Sequence, residues 1–220
     1  MPRTRADWDE KHWNAGEASA IEASPLAREL LPLLPTGPAL DLACGRGRHT
    51  LLLAERGQAV TAVDWSPAAL DLLERAAAAK GLKVHHGNHG HGGNDDIRPA
   101  AKGCGIFSVC ADLEKITLPS RVFALVLCIQ YLDRRLMPEI ERALQPGGAV
   151  LFETYTTAQL AFEGGLRNPD YLLRPGELRR SFPGLETIFY RELNAGQGIA
   201  SILARKPVES NEGRPRMLKC

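Results

Sequence analysis

The chain holds 220 residues, 44% of them apolar, with a formal net charge of +1 at pH 7. That length favours one domain with a sizeable core, and a charge so near zero excludes both a field that coats nucleic acid and an acidic tail. Cys44, Cys104, Cys110, Cys128 and Cys220 are odd in number and irregularly spaced, so they read as reduced thiols and not as a disulfide framework. The first residues lack the apolar core of a signal peptide, and no apolar run is long enough to span a bilayer. A cytoplasmic protein without a membrane partner is expected. The stretch from Trp8 to Gly16 is polar with two tryptophans, and it reads as a segment that Trp8 and Trp13 pack onto the body, with a lid as the other reading. Ser24 and Pro25 start a helix as N-cap and first helical residue, and Pro32, Pro35 and Pro38 end it.

A strand from Leu40 to Ala43 then passes into Cys44-Gly45-Arg-Gly47, and a helix follows from about His49 to Arg56. A second strand, Val60 to Val63, stops on Asp64. Glycines in such a turn let a ligand approach the backbone, and a carboxylate closing the second strand can accept hydrogen bonds from both ribose hydroxyls. A dinucleotide loop reads G-x-G-x-x-G, but the third glycine position here is Thr50. Asp41, just before the turn, would repel a pyrophosphate and suits a ligand with a positive group.

Ser66 and Pro67 cap a helix that runs to a stop at Gly81. Leu82 to His85 begins like a third strand and enters a run of glycine, histidine and asparagine. Residues 86–105 read as an insertion, unusually long for a compact domain and carrying too little apolar surface to order itself. His85, His86, His89 and His91 match no structural zinc spacing, so a solvated loop is preferred and no metal is expected. Ile106 to Cys110 is β-like and leads to Asp112. Val122 to Ile129 is continuously apolar, as a central parallel strand should be. A helix from about Asp133 to Leu144, a turn at Gln145-Pro-Gly-Gly148 and a strand from Ala149 to Phe152 follow. Leu173 to Phe182 is a short helical region. Leu185 to Leu193 and Gly198 to Ala204 form a hairpin. The chain from Lys206 onward reads as a disordered tail.

The run Asp41-Leu-Ala-Cys-Gly-Arg-Gly47, with Asp64 and Asp112 in register, resembles the class I S-adenosylmethionine-dependent methyltransferases. Ala43 stands where their first glycine often does. Trp8-Asp9, Gln130-Tyr-Leu-Asp-Arg-Arg135, Phe152-Glu-Thr-Tyr155, Arg167-Asn-Pro169 and Leu172-Leu-Arg-Pro-Gly-Glu177 add a similarity to small bacterial methyltransferases of the tellurite-resistance type. The resemblance implies an α/β Rossmann-like methyltransferase fold. It is a mainly parallel seven-stranded sheet with a C-terminal antiparallel hairpin, in a single domain over 1–205, with 1–37 as lid and helix. It also implies S-adenosylmethionine as cofactor. Asp41, Ala43, Gly45 and Gly47 would line its methionine end. Asp64 would hold the ribose, and Trp65 would lie on the adenine. Asp112 and the Leu113 amide would meet the adenine edge, and Ile129 and Gln130 would face the sulfonium.

The expected reaction is methyl transfer to a small-molecule acceptor, with a thiol or chalcogen oxyanion as the candidate soft nucleophile. Tyr131, Arg134 and Arg167 are the candidate catalytic residues, the two arginines as holders of an anionic acceptor. Each could equally shape the rim. No Asn-Pro-Pro-Tyr stands after the fourth strand, so a nucleic-acid acceptor is not expected. The alternatives are a nicotinamide-dependent oxidoreductase and a cofactor-binding protein without turnover.

Overall fold

A computed structural model describes residues 4–14, 22–87, 97–103, 105–164 and 166–208. Eight strands form one sheet: β1 (Ala39–Leu42), β2 (Val60–Asp64), β3 (Val84–His86), β4 (Ile106–Cys110), β5 (Phe123–Ile129), β6 (Leu144–Tyr155), β7 (Glu186–Ala195) and β8 (Gln197–Arg205). Their order is β3-β4-β2-β1-β5-β6-β8-β7. All pairs are parallel except β6 with β8 and β7 with β8. The mainly parallel sheet with an antiparallel C-terminal hairpin is thus present, with eight strands in place of seven. The count rises because Val84–His86 and Ile106–Cys110 are separate neighbouring strands, not two ends of one.

The helices are α1 (Arg5–Asn14), α2 (Pro25–Leu30), α3 (Arg48–Ala54), α4 (Pro67–Ala79), α5 (Leu136–Ala143) and α6 (Glu177–Arg180). Ser24 and Ser66 cap α2 and α4 by accepting from Ala27 N and Ala69 N, each with proline at the first helical position. One sheet face packs Leu26, Leu30, Leu51, Leu53, Leu70 and Leu73 of α2, α3 and α4. The other packs Leu136, Met137 and Ile140 of α5 and Leu178 of α6. Covering both faces explains why β5 is buried along its whole length.

Three sequence expectations change. The turn at Gln145–Gly148 lies within β6, because Leu144 already pairs with Phe123 and the register shifts before Leu125 meets Ala149. The 86–105 insertion is not loose throughout. His86 is in β3, Ile97 and Ala100 are buried in the core, and Thr61 Oγ1 donates to Arg98 O and accepts from Ala100 N. His89, His91 and Cys104 lie outside the described residues. Lys206 is no tail residue: its backbone bonds Gly147 and Gly148, and Nζ donates to the carbonyls of Glu141 and Leu144 at 2.8 Å each. Residues 209–220 also lie outside the described set.

Candidate active site

The strand order reverses between β1 and β5, since β2 continues to one side of β1 and β6 to the far side of β5. In an open parallel sheet, loops leaving the two strands at such a point diverge to opposite faces and leave a crevice at the carboxyl ends. Two backbone anomalies flank this crevice. Ala43 follows β1 with φ of 54°, and Gln130 follows β5 with φ of 62°. Left-handed backbone at non-glycine residues is strained, and such strain concentrates at functional sites.

Asp64 ends β2, and its buried carboxylate lies under the loop that follows β1. Oδ2 accepts from Gly45 N at 2.7 Å and Oδ1 from Ser66 N at 2.9 Å. Burial pushes its pKa up, while these amides pull it back. The Trp65 amide also bears on this carboxylate, and with about two acceptor sites on each oxygen some acceptor capacity remains for ligand hydroxyls. The residues present therefore fit a ribose.

Asp41 is buried beneath the loop, and Thr50 Oγ1 donates to its Oδ2 at 2.6 Å. Desolvation raises its pKa to about 6, against the opposing Thr50 bond and the Arg48 charge. Thr50, which departs from the dinucleotide pattern, is thus the partner of Asp41. Gly47 serves packing and not ligand approach. It has φ of 80°, and a Cβ there would sit 2.1 Å from Leu73 Cδ1 of α4. At Gly45 the Cβ would face His12 Cε1 at 3.5 Å.

That contact shows where α1 lies. Arg5 Nη2 donates to Cys110 Sγ at 3.4 Å, beyond β4. Asp9 Oδ1 accepts from Ser66 Oγ and Ala68 N, beyond β2. His12 stands beside Gly45 and Asp64, beyond β1. Seven residues of helix rise about 10 Å, close to two strand spacings of about 4.8 Å each. The helix thus crosses the carboxyl ends of β4, β2 and β1. It buries no residue of its own, and Trp13 is 54% exposed. The expectation that the tryptophans pin this segment to the body is corrected for Trp13, which is exposed; Trp8 is half-buried and stacks on His12, and polar side chains reach the strand ends.

Trp65 is half-buried, and its carbonyl accepts from Cys110 Sγ at 3.6 Å. Asp112 caps its own turn by accepting from Glu114 N at 3.1 Å, and it pairs with Lys115. Leu113 is buried in the core, and Ile129 packs against the α2–α3 face. Gln130 Oε1 accepts from Arg48 Nη2 at 3.0 Å, and its Nε2 reaches Tyr155 Oη at 3.5 Å. The loop residues and the ends of β1, β2, β4 and β5 are therefore brought to one edge.

The candidate catalytic residues fare differently. Tyr131 packs against the core, and burial pushes its hydroxyl pKa upward, so it stays protonated. Arg134 is a clamp. It bonds both oxygens of Glu177 and the carbonyls of Asp170 and Leu172. Arg167 donates to the carbonyls of Phe162 and Leu160. Arg134 ties the 170–177 stretch to the loop after β5 and Arg167 closes its own loop, so as placed neither holds an anionic acceptor. Among the described residues, His12, Arg48 and Ser201 reach the site or its rim without a motif to announce them, while Asp9 enters the sequence reading only as part of a resemblance and Ser66 only as a helix cap. For His12 the sequence signal is the polar tryptophan-bearing segment, which forms α1.

A family model described as a methyltransferase domain matches residues 40–152, which includes the loop, Asp64 and β5. The chain belongs to this family. It is a class I methyltransferase by family, and the cofactor of that class is S-adenosylmethionine. A malonyl-[acyl-carrier protein] O-methyltransferase of Serratia marcescens is 27% identical over 152 residues, 66% of this chain. The chain spans about half the length of that relative, 49%. An S-adenosylmethionine-dependent methyltransferase from Mesorhizobium loti shares the fold, with a TM-score of 0.61 at 21% identity over 87% of this chain and 100% of that one. TehB from Haemophilus influenzae does so with a TM-score of 0.63 at 16% identity, over 90% of this chain and 67% of its own.

Proposed function

We propose that this chain transfers a methyl group from S-adenosylmethionine to a small-molecule acceptor. The observation that carries the reading is Asp64 at the end of β2, held by Gly45 and Ser66 amides one strand from the point where the strand order reverses. When bound, S-adenosylmethionine supplies an electrophilic methyl group on a sulfonium that departs as a neutral thioether. The residues of the chain bind, orient and exclude water. Asp64 takes the ribose hydroxyls, and Asp41 faces the methionine end as the counter-charge to its amino group. The strained backbone of Ala43 and Gln130 would border the sulfonium end of the cofactor. Trp65 and Asp112 border the adenine end, with α1 laid across that part of the crevice.

A small acceptor is supported by a solved relative in fold, the geranyl diphosphate C-methyltransferase of Streptomyces coelicolor A3(2), with a TM-score of 0.59 at 16% identity over 82% of this chain and 75% of that one. The arginines lend the anionic-acceptor expectation no support, because Arg134 is bonded across to residues 170–177 and Arg167 within its own segment. A nicotinamide cofactor is disfavoured by Thr50 on Asp41.

Calorimetry with S-adenosylhomocysteine tests the reading. The wild type should bind it, and Asp64→Ala should bind at least tenfold more weakly while staying folded. That follows from losing two charge-assisted bonds of about 1.5–3 kcal/mol each. Equal affinity in the two proteins would remove Asp64 from the site.

A further inference from the structure

Glu153 is a buried carboxylate that the cofactor reading leaves unused. It lies at the end of β6 opposite Ile129 of β5, and its carbonyl accepts from Gln130 N at 2.7 Å. It therefore adjoins the strained residue that frames the reacting end of the crevice. Across the sheet the same row continues through Ser201 of β8 to Arg191 of β7. Those two residues hold one oxygen only. Ser201 Oγ donates to Glu153 Oε2 at 2.6 Å, and Arg191 Nη2 lies 3.8 Å from that same atom. Oε1 has no hydrogen-bond partner among the described residues.

Two buried side-chain polar atoms among the described residues are sealed from solvent without a partner, Thr156 Oγ1 and Arg191 Nε. Oε1 is not one of them, so with no partner it keeps some access to solvent, although the side chain keeps only 8% of its exposure. Tyr155, two residues on and hence on the same face of the strand, reaches Gln130 from that side. A carboxylate fixed at one oxygen and open at the other is arranged to accept one hydrogen bond in one direction. Its oriented partners are a serine and an arginine, and Arg48 stands on the far side of Gln130. Two guanidiniums near the site disfavour a cationic ammonium acceptor and favour a neutral oxygen.

We infer that Glu153 Oε1 receives the proton of a hydroxyl acceptor, an alcohol or phenol, with Ser201 and Arg191 as positioning residues. This rests on the methyl-transfer reading above. As the acceptor oxygen bonds the methyl carbon, the pair of the broken carbon–sulfur bond stays with sulfur. The hydroxyl proton passes to Oε1, and Glu153 becomes a neutral acid that later returns the proton to water. Sequence alone does not single out Glu153 as the base, because its freedom at one oxygen depends on residues 38 and 48 positions away.

The test uses the full chain with phenol, thiophenol and benzylamine as probes and labelled S-adenosylmethionine. Phenol should be methylated, and Glu153→Gln should lower its turnover about a hundredfold or more. The low-pH limb of the rate profile should vanish in that variant, and thiophenolate, already ionised, should lose little. Ser201→Ala should lower turnover with an unchanged KM for phenol, and it covers the case in which Glu153→Gln fails to fold. A second measurement needs no turnover. In carboxyl-¹³C-glutamate protein, the resonance missing from Glu153→Gln should shift with phenol and not with anisole, which has no hydroxyl proton. Wild-type phenol turnover in Glu153→Gln overturns the inference. So does methylation of thiophenol or benzylamine but not phenol, or a Glu153 resonance blind to phenol. If S-adenosylhomocysteine itself does not bind, the methyl-transfer reading fails instead.

Discussion

Asp41 carries a cost that its position in β1 imposes. It is buried in the first strand of the parallel core, with Thr50 as hydrogen-bond donor, and its pKa is raised to about 6 from 3.8. A raised carboxyl pKa means that the folded state holds the proton more tightly than the unfolded chain. The associated stability is fully present below about pH 3.8 and is lost as pH rises through about 6, a loss of roughly 3 kcal/mol. Asp41→Asn should therefore stabilise the protein at pH 7.5 in urea titrations and lose that advantage by pH 4. It should also weaken S-adenosylhomocysteine, because the counter-charge is gone. A variant that is no more stable than wild type at pH 7.5 would show that Thr50 and Arg48 already offset the desolvation.

At the scale of elements, the segment between β3 and β4 divides into two parts. Ile97 and Ala100 join Val63, Phe107 and Leu118 in the core, and the Arg98 carbonyl is tied to Thr61 inside β2. Ile97→Ala should then cost about 2–4 kcal/mol by chemical denaturation, as expected for truncating a buried aliphatic side chain. Replacing only residues 88–96 with a glycine–serine link should leave the melting temperature nearly unchanged. A large drop on that replacement, or none for Ile97→Ala, would reverse the assignment. The composition of 86–105 conceals this division, since one isoleucine and a few alanines give no periodicity. Their burial follows from β3 lying beyond β4, so that the returning chain must cross the exposed face of β2 and β4.

Across the whole molecule, His49 links the N-terminal helical region to the cofactor loop. Ser24 N donates to its Nε2 at 3.2 Å, and a backbone N–H can only donate, so Nε2 is unprotonated. Burial, with Arg48 nearby, lowers its pKa to about 3 from 6.5. For a depressed histidine the unfolded chain binds the extra proton. The contribution is intact above pH 6.5 and is lost as pH falls toward 3, roughly 2 kcal/mol by pH 5. Its sign is opposite to that of Asp41, so the two partly cancel between about pH 4 and 6. His49→Gln should flatten the acid limb, measured as melting temperature from pH 7 down to 5. An acid limb as steep as in wild type would assign it to other groups.

What the sequence determined by itself is local and periodic. The apolar runs at Leu40, Val60 and Phe123 became central strands, and Ser24-Pro25 and Ser66-Pro67 became helix starts. The Asp41–Gly47 run with Asp64 carried the family resemblance, because a glycine turn and a strand-end carboxylate are properties of neighbouring residues. Tertiary structure decided everything that depends on which strand lies beside which. It turned Gly47 into a packing requirement under Leu73, converted Arg134 and Arg167 from acceptor holders into internal clamps, and laid the polar α1 across three strand ends. It also set Glu153, Ser201 and Arg191 in one row of three strands. Long polar side chains find partners by distance in space. Their roles therefore appear only when the sheet order fixes which distant residues come within about 3 Å.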